Sequence, residues 1–113
     1  MSLPNHLKLL LEAFNTKNSS LFLSCFTLDA EVQDKGEDKR AIGHNAIKAW
    51  FEEGFAKFDF STEPFDHQEI LHGSILKAKV SGNFPGSPLN FLYEVHLDGD
   101  QINKLTISIL NPE

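Results

Sequence analysis

From residue 61 onward the chain alternates. Leu76, Ala78 and Val80 are separated by Lys77 and Lys79, and Leu89, Phe91, Tyr93, Val95 and Leu97 keep the same rhythm. Leu105, Ile107 and Ile109 carry it almost to the end. A strand turns successive side chains to opposite faces, so this half of the chain must build a sheet with one apolar face. Residues 61–71 read as the first of these strands. Asn83-Phe84-Pro85-Gly86-Ser87-Pro88 and Asp98-Gly99-Asp100 supply turns between later ones. Four strands joined by hairpins leave an apolar face that the rest of the chain has to cover.

The first half offers helices for that task. Pro4 suits the first turn of a helix, and Leu3, Leu7, Leu10, Leu11 and Phe14 mark one face of it. Asn18 or Ser19 can cap a second, shorter helix through Leu21, Phe22, Cys25 and Phe26. A third begins near Gly43-His44-Asn45 and places Ala46, Ile47, Trp50, Phe51, Phe55 and Phe58 at helical spacing. Between the second and third, residues 29–34 read as a short strand. Residues 35–40, charged and containing Gly36, read as an exposed loop. The expected order is helix, helix, strand, helix, then four strands, in a single α+β domain over residues 1–113.

Ten residues are Phe, against one Tyr and one Trp. Phe adds large apolar surface without a polar handle, which suits a core or a wide apolar cavity. The formal charge of −6 opposes nucleic-acid phosphates and anionic membranes, so neither is an expected partner. Cys25 is the only cysteine, and an internal disulfide is therefore impossible. Lying among Leu21, Phe22 and Phe26, it reads as a core thiol rather than a nucleophile. Lys8 and Glu12 interrupt the early apolar run, which argues against a secretory signal and for a cytoplasmic location.

Four segments carry a resemblance. They are Phe26-Thr27-Leu28-Asp29-Ala30-Glu31-Val32, Gly43-His44-Asn45-Ala46-Ile47-Lys48-Ala49-Trp50, the run from Val80 through Pro88, and Leu97-Asp98-Gly99-Asp100-Gln101-Ile102. In this order the chain resembles the nuclear transport factor two-like superfamily, also called SnoaL-like or the cystatin-like α+β cone. The resemblance covers nearly all of the chain. It implies three N-terminal helices packed in the concave face of a curved, mainly antiparallel sheet. It also implies a conical pocket for an apolar small molecule and a homodimer formed through the sheet. The implied lining is Phe26, Val32, Trp50, Phe55, Phe84, Phe91 and Ile107, each of which could equally fill the core. The superfamily hosts isomerases, cyclases, hydrolases, dehydratases and non-catalytic binding domains, so the fold does not select a reaction.

Asp34 is the leading candidate for chemistry. If Val32 faces inward, the two-residue period turns Asp34 inward too, and a buried carboxylate must be paired, neutralised or used. The alternative is an exposed strand-end acid satisfied by water, Lys35 or Arg40. In ketosteroid isomerase-like relatives an acid at this position is a general base, and donors on the first helix and the penultimate strand stabilise an enolate oxygen. Ketosteroid isomerase itself divides the labour in this way. Here those two donor positions hold Leu10 and Tyr93. The resemblance thus implies Asp34 and Tyr93 as catalytic candidates with one donor lost, in a reaction that needs no cofactor. No metal is expected, because the five histidines lack ligand spacing. His67 alone is placed near the pocket mouth. The rival reading is a non-catalytic ligand-binding or dimerisation domain.

Overall fold

A computed structural model describes residues 2–110. The chain opens with α1 (Asn5–Thr16), whose buried face is Leu7, Leu10, Leu11, Ala13 and Phe14. Pro4 sits just before the helix rather than inside it. Lys17 ends α1 in a left-handed conformation, its N–H returning to Ala13 and Phe14 carbonyls. Asn18 then caps α2 (Ser19–Ser24), its Oδ1 accepting from the Leu21 amide at 3.0 Å.

Two strands follow. β1 (Phe26–Asp34) starts three residues earlier than predicted, with exposed Leu28 and Asp29 concealing its onset. β2 (Lys39–Ile42) corrects the loop reading, because it pairs antiparallel with β1 from Asp34↔Lys39 to Glu31↔Ile42. Only Ala41 of β2 is buried, so no apolar alternation announces it. Gly43 precedes α3 (His44–Lys57), which buries Ile47 and Phe51. His44 reaches the Phe26 carbonyl through Nε2 at 3.2 Å, tying the start of α3 to β1.

The remaining strands are β3 (Phe60–Ile70), β4 (Gly73–Gly82), β5 (Leu89–Asp98) and β6 (Gln101–Ile109). The open sheet runs β2-β1-β6-β5-β4-β3, and only the β1–β6 pair is parallel. The result is the expected α+β arrangement of three helices against a curved sheet, with α3 following two strands rather than one. β3 is an edge strand, and Asn15 of α1 covers part of its open side. The Asn15 amide donates to the Thr62 carbonyl at 2.9 Å and accepts from the Thr62 amide at 2.8 Å.

Aromatic rings fill the space between helices and sheet. Phe22, fully buried, stacks on Phe51 at 4.3 Å and meets Phe26 at 4.8 Å and Phe14 at 5.3 Å. Rings from all three helices and β1 thus meet at one point, which accounts for part of the surplus of Phe. Cys25 is buried beside them, and burial pushes its thiol up to about 11. A thiol held that high is almost wholly protonated at neutral pH, as the core reading expects. Among the described residues, no helix is long and apolar enough to cross a membrane.

Candidate functional site

The inward period of β1 carries through Ala30, Val32 and Asp34, the first two almost inaccessible. Beyond Asp34 the chain turns at once. The Lys35 amide donates to the Ile107 carbonyl at 2.9 Å, extending the ladder with β6. A Cβ at Gly36 would lie 3.1 Å from Ile109 Cδ1, so glycine allows the turn to pass close over β6. The turn also returns an amide to the acid, with Glu37 N–H donating to Asp34 Oδ1 at 3.3 Å.

From the other side, α3 delivers Trp50, whose indole Nε1–H donates to Asp34 Oδ2 at 3.1 Å. Asp34 is therefore half-buried between a helix and a strand end, held by neutral donors. Burial pushes its carboxyl above the ordinary carboxylate range, and the charge of Glu37 adds to this. The Trp50 and Glu37 hydrogen bonds and the Gly36 amide pull the other way without cancelling the effect.

Register places the second polar candidate. Asp34 pairs with Ile107 on β6, and Ile107 pairs with Tyr93 on β5. With neighbouring strands about 4.8 Å apart, Asp34 and Tyr93 stand roughly 10 Å apart along the sheet, on the same face. Tyr93 is buried, and burial raises its phenol well above the usual value. The Asp34 charge reinforces that rise, so the phenol keeps its proton near neutrality. No hydrogen bond of ordinary geometry joins Thr62 to Tyr93, and Thr62 Oγ1 is buried without a partner among the described residues.

These groups line an open cavity of about 460 Å³. Of the residues expected there from sequence, Asp34, Trp50, Phe55, Phe84, Phe91, Tyr93 and Ile107 line it together. Phe26 and Val32 do not. Phe26 is sealed against Phe22, and Val32 lies deeper in the sheet between Ala41 and Leu105. His67 is also elsewhere. A bulge between Pro64 and Asp66 turns it toward the side of Leu76, but seven residues beyond Phe60, the β3 residue that lines the cavity. That separation is roughly 20 Å of strand. His67 instead lies 3.9 Å from Glu69.

The first helix contributes Phe14 rather than Leu10, which is fully buried in the core. Neither offers a hydrogen bond, so the helix still lacks a donor at the cavity. Further wall comes from Phe51, Phe58, Phe60 and Val80, and charged groups Glu37, Lys39, Glu53 and Lys57 stand at its edge. Lys39 lies 3.8 Å from Glu53, joining β2 to α3. The Trp50–Asp34 bond had one signal in the sequence: an indole N–H at the edge of a core needs an acceptor.

Neither a family model nor a curated protein matches the sequence. Solved structures do match. A Sinorhizobium meliloti protein described as a candidate polyketide cyclase superposes with a TM-score of 0.88 at 28% identity, covering 94% of this chain and 95% of that one. A hypothetical protein from Catenulispora acidiphila with a ketosteroid isomerase-like fold, in complex with trimethylamine, gives 0.87 at 14% identity, covering 95% and 86%. A SnoaL-like protein of unknown function from Burkholderia thailandensis gives 0.78 at 14% identity, covering 92% and 91%. The chain has the α+β cone fold of the SnoaL-like, nuclear transport factor two-like superfamily.

Proposed function

We propose that the protein binds an apolar small molecule in the cavity beside Asp34 and acts on it as a cofactor-independent isomerase, cyclase or lyase. The observation that supports this most is the meeting of Asp34, Trp50 and Tyr93 on one open apolar cavity. Asp34 is the general base. Its raised carboxyl is a better proton acceptor than an ordinary aspartate, and a base works best when its pKa lies near the working pH. It would take a proton from a carbon next to a carbonyl and return it to another position. Tyr93, still protonated, would donate to the oxygen on which charge develops.

The trimethylamine held by the Catenulispora protein supports including small amines among the molecules tried on this chain. A homodimer formed through the sheet, as the resemblance implies, belongs to the same proposal. The rival reading, a domain that binds its ligand without turning it over, draws on Phe14. That residue is what the first helix brings to the cavity, and it has no hydrogen-bond donor to offer an enolate.

A thermal-shift screen of apolar ketones, lactones and amines tests the proposal. A ligand supplied at about a hundred times its dissociation constant adds about 2.7 kcal/mol, a shift of several degrees. For any ketone turned over, Asp34→Asn should lower kcat at least about 100-fold with little change in binding. Equal turnover in both proteins rejects the base role and leaves the binding reading. A screen in which nothing shifts the melting temperature rejects the pocket itself.

A further inference from the structure

Among the described residues, Asp34 has no salt-bridge partner. Its two oxygens accept from the Trp50 indole and the Glu37 amide, both neutral donors, and the charged group acting on it is the like-charged Glu37. At the rim Lys39 is engaged by Glu53, and the two lysines there are matched by two glutamates. The rim charges cancel, and Asp34 remains as the uncompensated charge of the cavity.

The wall around it is aromatic. Nine of the 21 lining residues are Phe, Trp or Tyr, too large a share to treat the cavity as merely greasy. Ring faces carry negative potential and attract cations, most strongly when water is excluded. Trp50 touches Asp34 directly, while Phe51, Phe55, Phe91 and Tyr93 continue the wall from α3 to β5. An anionic ligand would set its charge against Asp34. A neutral ligand would fill the space without using either the rings or the carboxylate. The overall charge of −6 also favours the approach of cations.

We propose that this cavity selects ligands in which a fully alkylated, cationic nitrogen is joined to an apolar body. The onium group would sit against the rings within the field of Asp34, and the apolar body would fill the rest of the cavity. A quaternary nitrogen has no N–H to give, so the carboxylate keeps its lone pairs, while the added positive charge makes it a weaker base. The proposal rests on the cavity being a ligand site, and it does not depend on turnover.

Two probes of the same shape separate charge from fit: (3-hydroxyphenyl)trimethylammonium and 3-tert-butylphenol. They differ by one positive charge at the centre of the branched group. Trp50 is the only tryptophan and lines the cavity, so its fluorescence reports binding of either probe. The cationic probe should bind at least about tenfold more tightly than the neutral one. Asp34→Asn should reduce that preference, the ratio of the two affinities, severalfold. Asn is close to Asp in shape and removes a disfavoured charge, and the wild-type comparison stands without the variant. Equal or tighter binding of the phenol overturns the cation preference and leaves the pocket reading intact. An unchanged preference in Asp34→Asn overturns the role of the carboxylate. If neither probe binds, the pocket reading and the cation preference fall together.

Discussion

Asp34 ionises in a place that resists charge, and its linkage to stability has a definite sign. Its carboxyl is raised in the folded protein, first by burial and then by the charge of Glu37, against the Trp50 and Glu37 hydrogen bonds. Such a group favours the folded state fully below its unfolded pKa, near 4, and that contribution is lost as pH rises through the folded value. Asn at this position does not ionise. Asp34→Asn should therefore gain stability relative to wild type as pH rises from about 4 to about 7. Denaturant midpoints of the two proteins across that range measure it, and a constant difference would contradict the account. A residue that stabilises less when charged, yet lines a cavity, fits a site in which function is favoured over stability.

At the scale of elements, α1 and β3 depend on one side chain. Asn15 makes both hydrogen bonds to the Thr62 backbone on the free edge of β3. Asn15→Ala should cost about 1–3 kcal/mol, because a part-buried amide pair is left unmade. Hydrogen exchange at the Thr62 amide should quicken by at least tenfold, and exchange no faster than wild type would show the clamp to be idle. Element legibility followed burial. β4, β5 and β6 were readable because one face is sealed and the other is wet, whereas β2 hides only Ala41 and carries no rhythm. Parity tied Asp34 to the side of Val32, so an inward Val32 carried the acid inward with it. Parity carries no information on depth, which is why Val32 was expected in the cavity and lies in the sealed core. The bulge near Phe65 defeated any parity argument for His67, since one extra residue reverses every side chain beyond it.

The whole molecule divides its rings between two tasks. Phe22 sits fully buried at the junction of the three helices and β1, while Phe84 stands half-buried at the cavity wall near the β4–β5 turn. Phe22→Ala should cost about 3–5 kcal/mol, as for other buried aromatic truncations. Phe84→Ala should cost less than about 1.5 kcal/mol, since it empties no sealed volume. Similar losses at both sites in chemical denaturation would mean that the cavity is part of the core. The sequence patterns and the resemblance together made this architecture readable, because long alternating strands and helical stripes repeat many times. The cavity was readable only in part, since its walls depend on how α1 and α3 stand against the sheet.

The central claim is that this protein meets its ligand beside Asp34. An NMR titration of the ¹⁵N-labelled chain, with each compound that raises the melting temperature, tests it most directly. The Trp50 indole N–H, bonded to Asp34, should shift in step with the amides of Glu37 and Tyr93 and fit one dissociation constant. Shifts confined to residues outside the cavity, with the Trp50 indole unmoved at saturation, would contradict it.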